Sequence, residues 1–181
     1  MDQTPWPGWA TEGVEQVASD PAWPGRAVTL ACELEGLLSP WLVAGVEHVG
    51  STAVPGLPAK PVLDLMAAVP DPDDVVRGGV RRLRAAGWVL VSPELDGRPW
   101  RRFFVQPDAD GVRRVAHLHL MRPDEPRWAQ QLTFRDRLRA DPDLARRYAE
   151  LKAALAREHH DNRERYTAAK TEFIELVLRT R

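Results

Sequence analysis

The chain has 181 residues, 44% hydrophobic, 28% charged and 7% aromatic, which predicts one globular domain, or one with an appendage. Its 25 Lys and Arg against 26 Asp and Glu lack the cationic excess that non-specific nucleic-acid binding needs. The single cysteine, Cys32, excludes an internal disulfide or a cysteine-built metal cluster and fits a reducing compartment.

Residues 1–24 carry four prolines and three tryptophans without a sustained period and read as an extended lead-in that packs aromatics onto a body behind it. Neither a basic segment nor an apolar run of signal-peptide or membrane-spanning type opens the chain, so the expected location is cytoplasmic and no membrane partner is expected. Ala27, Leu30, Ala31, Leu34, Leu37 and Leu38 recur at three- and four-residue steps and predict an amphipathic helix over 25–39. The apolar stretch 42–49 predicts a strand, the turn-rich 50–58 a loop, and 61–69 a second strand.

Asp71-Pro72-Asp73-Asp74 opens a predicted helix that Gly87 ends. Strands are expected at 88–92, 100–106 and 112–121, with a turn at 108–111. After Pro123 the pattern is helical over 126–140, 142–158 and 162–180. The expectation is an α+β core over 1–121, a small mixed sheet with helices on one face, followed by a helical tail over 122–181 packed on it. By charge the first part is acidic, with 11 basic and 15 acidic residues, and the tail is mildly basic, with 14 and 11.

Three features carry chemistry. In Val46-Glu47-His48-Val49-Gly50-Ser51-Thr52 a Gly-Ser turn ends a strand, which lets backbone amides and a hydroxyl approach phosphate oxygens; the plainer reading is a tight loop capped by Ser51. Asp64 is the only charge in the apolar strand 61–69, a costly placement unless it is paired, hydrogen-bonded or bound to a cation, and Lys60 is a candidate partner. Alternation puts Val62, Asp64 and Met66 on one face and Leu63 and Leu65 on the other. It also puts His117 and His119 on one face of the last strand, toward an open cleft, with Leu118 and Leu120 toward a helical layer. Two such imidazoles can share a metal or exchange protons, or can simply be a satisfied pair.

Elsewhere the plain readings are solvation or packing. His159-His160 and the run Arg81, Arg82 and Arg84 read as solvated. The i, i+4 pairs Tyr148/Lys152 and Tyr166/Lys170 read as helix-face packing, with a basic pocket wall as the alternative. By count 22 of the 25 basic residues are Arg, so the retained Lys60, Lys152 and Lys170 invite a reason. Among the seven tryptophans, Trp100 and Trp128 fall near the candidate site and read as packing, with stacking on a nucleotide base as the alternative.

The segment Val46-Glu47-His48-Val49-Gly50-Ser51-Thr52-Ala53-Val54-Pro55-Gly56-Leu57-Pro58-Ala59-Lys60-Pro61-Val62-Leu63-Asp64-Leu65 closely resembles the signature of the GrpB family. Asp20-Pro21-Ala22-Trp23-Pro24, His117-Leu118-His119, Phe134-Arg135-Asp136-Arg137-Leu138-Arg139 and the stretches from Tyr148 to Lys152 and Tyr166 to Phe173 follow in order, so the resemblance runs over about 15–178. It implies a nucleotidyltransferase-like fold, in which Gly50 and Ser51 would hold nucleotide phosphates and Asp64 a divalent cation. The chain departs from the superfamily pattern in one respect. Val62, Asp64 and Met66 offer one carboxylate where a pair is usual, and His117 and His119 stand where a further acid is expected.

What the resemblance implies about function is metal-dependent nucleotidyl transfer, from ATP with Mg²⁺ or Mn²⁺, to an unknown small-molecule acceptor, with adenylation by a small ligase as a variant. Asp64, His119 and His117 would hold the ion, with Glu47 a further candidate if it, rather than His48, faces the site. Gly50, Ser51, Thr52, Lys60, Arg102, Arg135 and Lys170 would bind the nucleotide. The alternatives are a nucleotide- or metabolite-binding module without turnover and a purely structural domain. The catalytic reading fails if Asp64 and His119 point to opposite sides of the sheet.

Overall fold

A computed structural model of the chain describes residues 7–10, 13, 16–158 and 163–179, with backbone alone for 163–168. The expected His159-His160 pair, the start of the last predicted helix at 162, the first six residues and the side chain of Tyr166 lie outside the described residues. Helix α1 spans Trp23–Leu38, and strand β1 covers only Val46–Val49. The apolar 42–45 stretch expected to begin that strand makes one sheet-like bond, from the Val43 amide to the Ala68 carbonyl, while the Val46 amide is taken by the Glu35 carboxylate. Strand β2 covers Leu63–Ala68, and helix α2 follows over Pro72–Ala85 with Asp71 capping the Asp73 amide.

Strand β3 is Val89–Val91, and the one-turn helix α3, Pro93–Asp96, was not foreseen. Strands β4, Arg102–Pro107, and β5, Arg114–Met121, complete the sheet. The tail holds α4 over Pro126–Ala140, α5 over Pro142–Glu158 and α6 over Arg163–Arg179, within one residue of the boundaries the sequence predicts.

The sheet order is β1-β2-β5-β4-β3, antiparallel throughout except for the central parallel pair β2–β5. One sheet face is apolar. Leu63, Leu65, Ala67, Phe104, Ala116, Leu118 and Leu120 bury there against Trp23, Ala27, Leu34 and Leu38 of α1 and Val75 and Leu83 of α2. The other face is divided. Trp9 of the lead-in packs on Phe103 and Val105, and Trp100 and Trp128 cover Val49, Met66 and Met121. Between them lies the polar strip that carries Asp64 and the two histidines.

The tail helices gather Phe134, Leu138, Leu144, Tyr148 and Val177 around Val54 and Leu57 of the loop after β1, a second apolar cluster separate from the sheet core. Arg81, Arg82 and Arg84 are exposed, the solvated face expected of them. No helix among the described residues is long and apolar enough to cross a membrane.

Phe104 is fully buried at the centre of the helix-covered face. Truncating it to Ala removes a large buried ring and leaves a cavity, so Phe104→Ala is expected to cost about 3–5 kcal/mol in urea unfolding; a loss below about 1 kcal/mol contradicts this packing.

Candidate metal and phosphate site

The site follows from strand alternation. Parallel pairing sets Asp64 beside His117 and Met66 beside His119, so all four share the face opposite the helix-covered leucines. The Asp64 Oδ1 atom lies 2.8 Å from His117 Nδ1 and 3.6 Å from His119 Nε2. One ligand atom from each of the three residues falls within 4.8 Å of the others, the separation a shared cation requires. Asp64 keeps 32% of its side chain exposed, against 13% and 14% for the histidines, so it is the most open of the three side chains.

The Gly-Ser turn is pressed onto that carboxylate. Val49 pairs with Asp64 across β1 and β2, and the next residue, Gly50, turns the chain with φ of 72°. A Cβ at Gly50 would stand 2.4 Å from Asp64 Oδ2, so position 50 requires glycine both for its backbone angle and for the space. The short 3-10 turn Ser51–Ala53 follows. Buried Thr52 anchors it, with its hydroxyl donating to the Val62 carbonyl and lying 3.0 Å from His48 Nε2.

The tail reaches the same turn with three cationic side chains. Lys152 of α5 donates to Ser51 Oγ at 3.0 Å and to the Pro58 carbonyl at 2.6 Å, and its ammonium stands 5.1 Å from the Tyr148 ring. From α4, Arg139 donates to the Ala53 carbonyl at 2.8 Å and Arg135 to the His48 carbonyl at 3.0 Å.

Burial and neighbouring charge set the protonation of these groups. Burial opposes ionisation of Asp64, but hydrogen bonds and charge from His117 and His119 outweigh it and hold the carboxyl well below the usual range. Burial pushes His119 down to about 4, although Asp64 pulls the other way, and Arg101 adds to the lowering. His48 is likewise lowered to about 4 by burial, against Asp64 and with Arg139 and Arg135. Lys152 is lowered to about 7, first by burial and then by the charge of Lys170. A carboxylate beside two imidazoles is a mixed oxygen and nitrogen donor set. Of the two ions expected, it suits Mn²⁺ better than Mg²⁺, which prefers oxygen ligands.

The sequence-level candidates thus divide. Gly50, Ser51, Asp64, His117 and His119 converge, and Lys170 comes within electrostatic range of Lys152. Four do not join them. Glu47 shares the site face, opposite Met66, but its carboxylate is engaged by Arg135 at 2.7 Å, which also commits Arg135. Arg102 pairs with Leu120 in register, which sends it to the helix-covered face, where it grips Asp73 at 2.5 and 2.8 Å. Lys60 donates to the Gly13 carbonyl, and the partners of Asp64 are the histidines instead.

Of two further contributors, Lys152 was expected to pack on its helix face, with a basic pocket wall only as the alternative, and Arg101 was not foreseen. Lys152 carried a signal, a lysine kept in an Arg-biased chain, but its contact with Ser51 spans 101 residues. Arg101, which meets His119 Nδ1, carried none beyond its neighbour Arg102. Trp100 and Trp128 pack on apolar residues of the site face, as the plain reading expects.

Comparison with known proteins adds the following. A protein-family model described as GrpB protein matches residues 13–180. The UPF0157 protein PA4798 of Pseudomonas aeruginosa is 38% identical over 98% of this chain and 72% of its own length. The crystal structure of the conserved protein GrpB from Enterococcus faecalis superposes with a TM-score of 0.77 at 28% identity, covering 91% of this chain and 97% of that one. The Cid1 poly(U) polymerase, in a crystal structure with Mg 3′-dATP bound, superposes at 0.57 with 12% identity, covering 85% of this chain and 49% of Cid1. That last likeness is one of fold.

The lowered histidines make stability depend on pH. Above about pH 6.5 both His48 and His119 are neutral in folded and unfolded chains alike; as pH falls toward 4, the unfolded chain binds protons that the native state refuses. The urea midpoint is therefore expected to drop between pH 7 and 4.5, and an unchanged midpoint across that window contradicts the burial of these imidazoles.

Proposed function

We propose, from the premise that the chain belongs to the GrpB family, that it transfers a nucleotidyl group from a nucleoside triphosphate, ATP first among the candidates, to a small acceptor molecule. The observation that carries this reading is the convergence of Asp64, His117 and His119 against the Gly50-Ser51 turn, on the face of β2 and β5 opposite the helix layer. The fold shared with Cid1, a polymerase seen with Mg 3′-dATP bound, supports the class of chemistry.

In this reading Asp64, His117 and His119 hold one divalent ion, which when bound supplies positive charge at the α-phosphate. Gly50, having no side chain, leaves the space that the Asp64 carboxylate fills, which keeps the ion-binding oxygen against the turn whose backbone amides would meet the phosphates. The Ser51 hydroxyl and the Lys152 ammonium bind the outer phosphates, and Lys170 adds to the positive field there. The acceptor's oxygen or nitrogen forms its bond to the α-phosphorus as the α–β anhydride bond breaks. Pyrophosphate leaves with that electron pair, and the acceptor's proton passes to solvent. An acceptor carboxylate would give an acyl adenylate, the ligase variant.

One observation favours a second reading, nucleotide binding without turnover: Met66 occupies the position next to Asp64 on the site face, where a second carboxylate would sit. Pyrophosphate release separates the two.

Calorimetric titration with ATP, CTP, GTP and UTP, with and without Mg²⁺ or Mn²⁺, tests the proposal on the wild type and on Asp64→Asn and Ser51→Ala. The expected result is ion-dependent binding of one nucleotide, weakened at least about tenfold, or about 1.4 kcal/mol, in Asp64→Asn. Absence of nucleotide binding by the folded wild type overturns it.

Lys152 gives a separate signature. It carries its charge below about pH 7 and loses it above, whereas an Arg at that position stays charged throughout. Relative to Lys152→Arg, wild-type nucleotide affinity is expected to fall as pH rises from 6 to 8.5; the nucleotide's own titration cancels in the ratio. A constant ratio argues against contact between Lys152 and the phosphates.

A further inference from the structure

We propose that Arg101, gripped by Asp96, is the resident cation of the site: it fixes the ring proton of His119 on the nitrogen that faces Asp64, and it must release His119 before a divalent ion can be held there. The inference rests on the ion-binding reading of the cluster and adds to it a residue and a competition.

Both members of the pair are buried, with 8% of the Arg101 side chain exposed and 5% of Asp96. Asp96 accepts from Arg101 Nε at 2.9 Å and from Nη2 at 2.5 Å, a two-pronged grip that leaves Nη1 directed at His119 Nδ1. The guanidinium lies 4.1 Å from the Phe103 ring centroid and 5.2 Å from that of Trp100, so its plane is held from several sides. Asp96 ends α3, and Arg101 directly precedes β4, so the pair closes the connection between α3 and β4 against the site.

A guanidinium only donates hydrogen bonds, so the His119 Nδ1 atom it meets must be the unprotonated one. The neutral ring then carries its proton on Nε2, the nitrogen that faces Asp64 Oδ1 at 3.6 Å. His117 turns Nδ1 to the same oxygen at 2.8 Å and donates there, because an ionised carboxylate only accepts. In the series Asp96, Arg101, His119, Asp64 and His117 each donor thus faces an acceptor, with hydrogen bonds at every step except His119 to Asp64, where the 3.6 Å separation is a looser polar contact.

That arrangement is the reverse of what a metal-bound histidine requires. A ligating imidazole gives its other N–H to an acceptor, usually a carboxylate or a carbonyl, whereas His119 meets a donor. An ion at Nε2 needs the ring proton to move to Nδ1, and the guanidinium then faces an N–H and must withdraw. Charge acts in the same direction, since a guanidinium within hydrogen-bond reach of a ligand repels an incoming dication.

The test is Mn²⁺ calorimetry on the wild type, on Arg101→Lys and on the double variant Asp96→Asn/Arg101→Met, which removes both charges together so that neither is left buried alone. The double variant is expected to bind Mn²⁺ about tenfold or more tightly than the wild type, with Arg101→Lys staying near the wild type because it keeps a cation at the position. Nitrogen-15 spectra of the ion-free wild type are expected to report His119 protonated on Nε2. Equal or weaker Mn²⁺ binding by a folded double variant overturns the competition while leaving the ion site standing, and failure of every protein to bind Mn²⁺ overturns both. Should the double variant not fold, the wild-type spectrum decides, and His119 protonated on Nδ1 overturns the proposal.

Discussion

A single carboxylate on β2, one of the two parallel strands, sets most of the constraints in this molecule. Asp64 stands among residues that are almost wholly buried, and an ionised carboxylate there must be compensated or must take up a proton. The compensation comes from β5. Only the register that sets Asp64 beside His117 and Met66 beside His119 brings both imidazoles to the acid while Leu118 and Leu120 stay in the core. A slip by one residue would bury the histidines and expose the leucines, so packing and polar satisfaction select the same pairing. The acid also dictates what crosses over it: with its Oδ2 atom where a Cβ of residue 50 would be, only glycine can lead the chain out of β1.

The helical tail belongs to this arrangement rather than adding to it. Arg135, Arg139 and Lys152 come from α4 and α5 and end on the carbonyls of His48, Ala53 and Pro58, so one backbone acceptor of β1 and two of the loop after it depend on side chains far along the chain. Phe134, Leu138 and Tyr148 seal the same loop through Val54 and Leu57. The use of lysine at 152 has a physical sense. An arginine would keep its charge under burial, whereas an ammonium lowered to about 7 can be carried at modest cost and regain its proton when an anion arrives.

Periodicity made the fold legible where one element meets one layer. The 3.6-residue pattern of α1 and the alternation of Leu118 and Leu120 with His117 and His119 each state which side is inward, and the sheet obeys them. The one-turn helix at 93–96 is too short to show a period, and the apolar run 42–45 resembles a strand but lies where the Glu35 side chain, not a neighbouring strand, takes the next amide. Among site residues, those supplied by strands were legible because alternation fixes their direction. Arg102 was misplaced because it precedes Phe103 at a strand edge, and which of two adjacent arginines faces the site depends on the β4–β5 register. Lys152 and Arg101 act through contacts spanning 101 and 18 residues, which local pattern does not encode.

The charges of the site bear on the order in which its proposed ligands bind. Asp64 and Asp96 carry two negative charges, Arg101 returns one positive charge, and a neutral His119 adds none. Arg101 offsets one of the two carboxylates and stands beside His119, so these groups attract a dication only weakly. A nucleotide triphosphate brings its own negative charge to the same place, next to Lys152 and Lys170, and an ion arriving on those phosphates needs from the protein only the few donors that Asp64 and the histidines provide. In the proposed reading a site of one carboxylate and two imidazoles therefore favours joint entry of ion and nucleotide over an ion resident beforehand, with Arg101 occupying the cationic position in between.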